Sequence, residues 1–506
     1  MNTKRLLTIL CALLFALVVE AQPGQNGGMN GEHDNGEMNG EMNNDDNGGM
    51  NGEGGMNGEG GMNGGTTESI GSASSTGYAQ SSGDSIVSGQ TYTSTNTDEN
   101  AVQITGGTCT MTNCIIQKLS GDTSDSDGSS FYGINSAVYC AGEGTTLNIT
   151  GGTVTTSATG SNGIMAYNYG TINATDVVIN TSSNLSRGIH ATGGGVINAS
   201  NLTITTSKTN CSVIATDRGG GTVTVVGGTY NTTGDDSAIT YSTGTITVSD
   251  AEGSSTEGEI AVIEGDNEIT LNNCTMTSGS SERGMMILQS GSGDSEGYNG
   301  TITVNGGTMT LTNSDTPFLE VPTYITATLT LKDVVLVIPS NQLMYVDYNT
   351  RWDTYGGTGI LILSTDSTCT YTGDVCADTY STAQVTVNEG VTWNGACNTE
   401  NTAKATSVTV EGVWNLTADS YTDNLTIGND GLINTNGYAL NYETLEGDQN
   451  ITTGIQTAST VNESVVTDDA VYAPNGLLMG HGEETLRSLP AGVYIYKGKK
   501  VAVERR

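Results

Sequence analysis

The chain has 506 residues with 71 Gly, 6 Pro, 21 Tyr, 3 Trp and 3 Phe, and its 54 Asp and Glu against 16 Lys and Arg give a formal net charge of −38. A chain this acidic repels phosphate backbones and anionic lipid surfaces, which argues against nucleic acid or a membrane surface as partner. The scarcity of aromatic residues argues against a thick globular core, whereas abundant Gly, Thr, Ser and Asn predict many short strands with tight turns.

The first 21 residues predict export. Lys4 and Arg5 precede an apolar run over residues 6–19, and Ala21 ends a segment typical of a signal-peptidase site. We therefore expect residues 1–21 to be a signal peptide and the protein to be secreted or held at the cell surface. No later stretch has enough consecutive apolar residues for a membrane span.

Residues 22–65 repeat variants of Gly-Met-Asn-Gly-Glu and contain no β-branched or aromatic residue. Such a segment buries too little apolar surface to fold, so it is predicted to be a disordered acidic spacer. Capture of a soft metal by Met50, Met56 and Met62, which are spaced six residues apart, is the alternative interpretation.

Residues 66–445 carry a repeat with a period near 25, which is typical of a solenoid. The repeated unit is a short run of alternating apolar and polar residues, seen for example at Leu147, Ile172, Ile197, Val223 and Ile246. Three such runs per period predict an all-β, single-stranded parallel β-helix with three strands per turn. Residues 120–132, 289–300 and 347–358 break the period and are predicted to project as loops.

Inward positions are predicted to form columns, because equivalent side chains in successive turns lie one strand spacing apart. One predicted column contains Ile164, Ile189, Val213 and Ile239. A second column is predicted to contain Val154, Ile179, Ile204, Tyr230, Met276 and Met309. Outward Asn and Thr residues, beginning with Asn148, Asn173 and Asn198, are predicted to form polar ladders between them.

Several segments of this region resemble an uncharacterised family of secreted, adhesin-like proteins that is common in gut bacteria. The segments that carry the resemblance are residues 125–133, 186–189, 215–221, 351–352 and 433–438. The resemblance implies a right-handed parallel β-helix of the pectin-lyase-like superfamily. No catalytic residues are established for the family, so it implies fold and location more than activity.

Alternate carboxylates at Asp122, Asp125 and Asp127 precede Gly128 and form a candidate calcium loop. The EF-hand pattern fails, because Thr123 and Ile134 occupy its first and last ligand positions. A solvated acidic loop is the alternative, and no other cofactor is expected.

Cations are rare in the repeat region, and five residues form the candidate catalytic set: Arg187, His190, Asp217, Arg218 and Arg283. Lyases on this fold need a base, commonly Arg or Lys, beside a group that neutralises a uronate. Arg187 and Arg283 have equivalent repeat positions, about four turns or roughly 19 Å apart. Their guanidinium groups are candidates to bind the carboxylates of an acidic glycan. Surface ion pairs with Asp217 and Glu282 are the alternative, and His190 is predicted to be a partly covered surface residue.

The exported chain contains eight cysteines after the signal peptide. Cys109, Cys140 and Cys274 fall at inward positions and are interpreted as core thiols rather than disulfides. Cys369 and Cys376, seven residues apart in a turn-rich stretch, are the best disulfide candidates.

Residues 446–470 are predicted to be a linker, and residues 471–506 a small C-terminal β-domain. The segment resembles the sorting domain of Bacteroidetes type IX secretion substrates through residues 471–472, 475–476, 489–495 and 498–503. The resemblance implies a β-sandwich that is recognised by the secretion machinery. A terminal β-hairpin that merely ends the fold is the alternative.

These observations favour a non-catalytic, adhesin-like rod that binds a polysaccharide or cell-surface glycan along a face rich in Thr, Asn and Tyr. The alternative is a polysaccharide lyase or glycoside hydrolase that acts on an acidic polysaccharide. A purely structural stalk is the third hypothesis.

Overall fold

The computed structural model describes residues 72–349, 355–452, 469–474, 478–497 and 499–503. The predicted signal peptide, the spacer, most of the predicted linker and the Arg351–Trp352 pair lie outside these residues. The described part is all-β and consists of long stacks of parallel strands, consistent with a parallel β-helix. Strands are numbered β1 to β44 in chain order.

Sheet 1 contains 12 parallel strands, each paired with the strand one repeat further along the chain. Its strands are β1 (Ser72–Gln80), β4 (Glu99–Ile104), β7 (Val138–Ala141), β10 (Ile164–Tyr167), β13 (Ile189–Thr192), β16 (Ile214–Thr216), β19 (Thr240–Ser242), β22 (Ala261–Glu264), β24 (Met285–Leu288), β26 (Leu319–Val321), β29 (Gln342–Val346) and β32 (Asp374–Ala377).

Sheet 2 contains 23 strands in two parallel ladders that share β23 (Glu268–Ser278) and β25 (Asn299–Leu311). The other strands of the first ladder are β2 (Asp84–Ser88), β5 (Thr108–Thr112), β8 (Thr146–Thr150), β11 (Thr171–Thr175), β14 (Gly195–Ser200), β17 (Gly221–Val226), β20 (Thr245–Ser249), β27 (Thr326–Lys332), β30 (Thr358–Ser364), β33 (Thr382–Val387), β35 (Ala405–Val410), β37 (Ser420–Ile427) and β39 (Leu440–Gly447). The other strands of the second ladder are β3 (Thr91–Ser94), β6 (Ile115–Lys118), β9 (Thr153–Thr156), β12 (Val178–Thr181), β15 (Thr203–Thr206), β18 (Thr229–Thr232), β21 (Glu252–Ser255) and β28 (Val335–Val337).

Sheet 3 contains five parallel strands: β31 (Cys369–Thr372), β34 (Val391–Asn394), β36 (Val413–Asn415), β38 (Leu432–Asn434) and β40 (Ile451–Thr452). Trp393 and Trp414 stack here with ring centroids 4.9 Å apart. Each indole N–H donates to a backbone carbonyl, so these large side chains are buried without an unsatisfied polar group. Parallel pairing continues to Thr452, beyond residue 445.

The core consists of inward columns, as the repeat predicts. Ile179 pairs with Val154 and Ile204 in register, and the column continues through Tyr230 to Met276 and Met309. Gly253 lies between Tyr230 and Met276 in this column, and a Cβ added to it would lie 2.5 Å from the Met276 sulfur. The glycine therefore makes room for two large neighbours.

The other predicted column is wrong by one residue in its later turns. Ile189 pairs with Ile214 rather than Val213, and Ile214 pairs with Thr240 rather than Ile239. All four side chains are buried, so hydrophobicity alone does not distinguish the two registers.

Polar ladders cover the outside of sheet 2. Asn173 donates to the Asn148 side-chain oxygen at 2.8 Å, and Asn198 donates to Asn173 at 2.9 Å. Each amide thus finds a partner in the next turn, which stabilises the register without apolar packing.

The C-terminal residues form sheet 4, a four-stranded antiparallel sheet with the order β42–β41–β43–β44. Its elements are β41 (Ala470–Tyr472), β42 (Leu478–His481), helix α1 (Gly482–Ser488), β43 (Gly492–Tyr496) and β44 (Lys499–Val503). The change from parallel to antiparallel pairing distinguishes this segment from the repeat region.

Candidate functional site

The outer side of sheet 1 carries most of the candidate residues. The side chains that alternate with the core positions form one column across its strands: Tyr139, Met165, His190, Ala215, Tyr241, Val262, Met286, Glu320 and Tyr345. Most of this column is buried, although it faces away from the core of the stack. Insertions in the repeat fold over this column and cover it.

The first insertion, residues 119–137, contains a one-turn π-helix, Gly128–Tyr132, and folds onto this surface. Thr192 donates to the Phe131 carbonyl at 2.7 Å, and Arg187 donates to the Ser130 hydroxyl at 2.8 Å. The insertion was predicted to project as a loop. These contacts instead anchor it two turns away, on strand β13 and the residues just before it.

Arg218 joins the first insertion to the second insertion, residues 289–298. Its Nε donates to Asp294 at 3.0 Å, and its Cζ lies 3.9 Å from the centroid of the Phe131 ring. One guanidinium therefore contacts an aromatic ring of the first insertion and a carboxylate of the second. We call this arrangement the Arg218 clasp.

Arg187, His190 and Asp217 lie together beneath the clasp. Arg187 Nη2 is 3.5 Å from Asp217 Oδ2, and His190 Nε2 is 3.9 Å from the same oxygen. The Arg187–Asp217 pair that the sequence suggested is present, but the insertions largely cover it, so it is not a surface ion pair. The prediction that His190 is a surface residue is wrong, because its side chain is fully buried.

Burial determines the protonation of this group. It raises the pKa of Asp217 to about 7, although the Arg187 charge partly opposes the shift. Burial, with the nearby Arg187 charge, lowers the pKa of His190 well below its ordinary value, so the imidazole is neutral. Neither ring nitrogen hydrogen-bonds to another described residue. Because His190 and Asp217 are buried and the Arg187 side chain is only 13% exposed, the group is out of reach of a polymeric substrate while the insertions stay in place.

Arg283 lies four turns along the stack, in an equivalent position, as the spacing predicts. Its Nε is 2.6 Å from Glu320 Oε2 and 3.9 Å from Glu259 Oε1, and it also pairs with Glu282. Burial raises the pKa of Glu320 to about 7, although the Arg283 charge partly opposes the shift. Arg187 and Arg283 thus occupy separate clusters, each already supplied with carboxylates.

An open groove of about 450 Å³ adjoins Arg283. It is lined by Glu282, Arg283, Asp315, Pro317, Glu320, Gln342, Tyr345 and Asn349. Most of these groups are carboxylates or carry hydrogen-bonding side chains. The groove can therefore accept hydrogen bonds from hydroxyl groups.

Three exposed tyrosines stand at the corner between sheet 1 and the first ladder of sheet 2. We call Tyr298, Tyr324 and Tyr355 the tyrosine row. Their ring centroids are 5.7 Å and 6.2 Å apart, and the residues are 53%, 55% and 66% exposed. In the next turn Tyr380 is 56% exposed and packs against Tyr348 at 5.3 Å.

Sequence reasoning named tyrosine only as part of a polar face and missed this row, along with Glu320 and Glu259. A usable signal was present, since Tyr298, Tyr324, Tyr355 and Tyr380 each stand one to three residues before a strand of one ladder. Glu320 carried no comparable signal, because Tyr241, Val262 and Met286 occupy its column in the preceding turns.

The candidate calcium residues have backbone partners. Asp122 accepts a hydrogen bond from Thr159 N–H at 2.8 Å, and Asp125 accepts one from Gly128 N–H at 3.0 Å. Asp127 is exposed just before the π-helix. Within the described ranges, no group of three or more His, Cys, Asp or Glu side chains is arranged to hold a metal ion.

All eight cysteines after the signal peptide have free thiols in the structure. Cys109, Cys140 and Cys274 are buried in the core, as predicted. Cys369 and Cys376 lie on strands of different sheets, so the disulfide suggested by their spacing is absent from the structure.

The chain was compared with protein-family models, with curated proteins and with solved structures, and none of these matches it. In the residues that the structure describes, no helix is both long and apolar enough to cross a membrane.

Proposed function

We propose that this protein is a secreted or cell-surface, adhesin-like β-helix that binds a polysaccharide or cell-surface glycan without catalysis. The tyrosine row is the observation that carries the proposal. Three adjacent rings that remain more than half exposed form an apolar patch whose burial free energy is gained only when a partner covers it, and pyranose rings offer matching C–H surfaces.

The proposal includes the finer architecture. The chain would wind as a single-stranded, right-handed helix with three strands per turn, like the adhesin-like family that it resembles. Pairing of β7, β8 and β9 into three different ladders supports three strands per turn. The C-terminal segment would engage a type IX secretion machinery, and its separate antiparallel sheet is compatible with that role.

The test is retention of the purified full chain on immobilised plant, microbial and mucin glycans, with unsaturated and reducing ends recorded in the same samples. We expect retention without products. Tyr324→Ala is expected to weaken retention at least tenfold, because it removes the central ring of the row. Tyr438→Ala, at an exposed tyrosine outside the row, is the matched control. Equal retention of both variants would contradict the proposal.

A second candidate function is a glycoside hydrolase or polysaccharide lyase, and the groove is the observation that favours it. Glu320 is a carboxyl group with a raised pKa beside Arg283 in an open groove, which is typical of general acid catalysis. Release of reducing or unsaturated ends by the wild type, and its loss in Glu320→Gln, would support this function.

A further inference from the structure

The tyrosine row and the groove lie next to each other, which bears on the kind of glycan that fits. Asn349 is one of the residues that line the groove, and the adjacent Tyr348 packs against Tyr380. Tyr380 lies one turn beyond Tyr355, since β30 and β33 pair in register directly after these residues. A chain-like ligand on the row can therefore extend towards the groove.

The charges in the groove oppose an acidic ligand. Glu282, Asp315 and Glu320 line it, and Arg283 is the one cation among the described lining residues. Arg283 already contacts Glu259, Glu282 and Glu320, so its charge is neutralised within the protein. A uronate or sulfate group entering here would meet carboxylates without a cation to balance it.

An uncharged sugar fits both parts. Its hydroxyl groups donate hydrogen bonds to the carboxylates, and its C–H face packs on tyrosine rings. Resting on the proposed glycan-binding function, we infer that the ligand is an uncharged polysaccharide of pyranose units, bound along the tyrosine row and into the groove. Polymers rich in uronate or sulfate are excluded.

Affinity electrophoresis of the full chain tests this inference with two sets of soluble polymers. The neutral set is mixed-linkage β-glucan, xyloglucan, galactomannan and unsubstituted galactan, and the acidic set is polygalacturonate, alginate and chondroitin sulfate. We expect at least one neutral polymer to retard the protein and no acidic polymer to do so, at both 20 mM and about 300 mM salt, since simple charge repulsion is screened at the higher value.

Two kinds of variant locate the binding. Tyr324→Ala is expected to lower affinity for the neutral polymer at least tenfold, whereas Tyr324→Phe, which keeps the ring, should retain most of it. The double variant Glu282→Gln, Asp315→Asn removes two exposed carboxylates and should weaken neutral binding severalfold. Thermal melting of each variant shows whether it is folded.

The outcomes separate the inference from the function on which it rests. Retardation by an acidic polymer at the higher salt would overturn the inference and leave glycan binding intact. Failure of every neutral and acidic polymer, together with failure on the wider glycan panel, would overturn both. Neutral binding that Tyr324→Ala leaves unchanged would also overturn the inference, because the row would not be the site.

Discussion

At the scale of single residues, burial of the charged Asp217 carboxylate costs free energy. Its carboxyl is buried beside a neutral His190, and the described groups that favour its charged form are Arg187 at 3.5 Å and the Arg218 backbone N–H at 2.9 Å. The folded-state pKa near 7 lies above the ordinary value of 3.8, so the folded protein binds the proton more tightly than the unfolded chain does. Such a group stabilises the fold fully below about pH 4, and that contribution is lost as the pH rises through 7.

We therefore expect the free energy of unfolding to fall between pH 4 and pH 8, with a contribution from Asp217 of up to about 4 kcal/mol. Asp217→Asn should remove this part of the slope in melting temperatures measured across the range. Glu320 shifts in the same direction, so Glu320→Gln should remove a second part. Asp333→Asn is the control, since Asp333 is exposed and the Thr365 hydroxyl lowers its pKa. A flat wild-type profile from pH 4 to pH 8 would contradict this account.

At the scale of elements, the Arg218 clasp links the two insertions across the surface of sheet 1. Polar contacts tie both insertions to the stack, as between Thr192 and Phe131 or between Ser292 and Glu264, and the first insertion also buries Phe131 and Ile134. The Arg218 side chain connects them through Asp294 and Phe131. Loss of one side chain should therefore loosen both insertions together and leave the parallel stack unchanged.

We expect Arg218→Ala to accelerate amide hydrogen exchange in residues 119–137 and 289–298 at least tenfold, with no change in the inward columns. His190 should become reactive towards diethylpyrocarbonate, because its cover opens. Arg218→Lys keeps the charge near Asp294 but loses the planar contact with Phe131, so we expect an intermediate effect. Acceleration confined to the second insertion would mean that Phe131 does not depend on Arg218.

The stacked strands and the two insertions show which features of this protein can be predicted from its sequence. Stacked strands repeat side chains at a fixed interval, so the period near 25 predicted parallel ladders and the column through Ile179 and Ile204. The insertions do not follow the repeat period. Contacts such as Arg187 with Ser130 and Arg218 with Asp294 join residues 57 and 76 positions apart. The burial of His190 depends on those contacts, which explains why it was mistaken for a surface residue.

At the scale of the whole molecule, charge opposes compaction. Carboxylates exceed cations by 38, and several carboxylates cluster around the few arginines instead of spreading evenly. Repulsion among the remaining carboxylates disfavours the compact state and is screened by salt, since the Debye length falls from about 30 Å at 0.01 M to about 8 Å at 0.15 M. The clasp acts in the opposite direction, because salt weakens a partly exposed pair such as Arg218–Asp294.

Repulsion should prevail, because it involves many charges whereas the described exposed ion pairs are few. We expect the melting temperature at pH 8 to rise by several degrees between 10 mM and 150 mM sodium chloride, and then to level off once the Debye length is shorter than the distances between neighbouring carboxylates. Potassium chloride should give the same curve, whereas sucrose of equal osmolality should not reproduce its steep low-concentration part. A melting temperature that falls with salt would mean that ion pairs such as the clasp, rather than repulsion, dominate the electrostatic free energy of the β-helix.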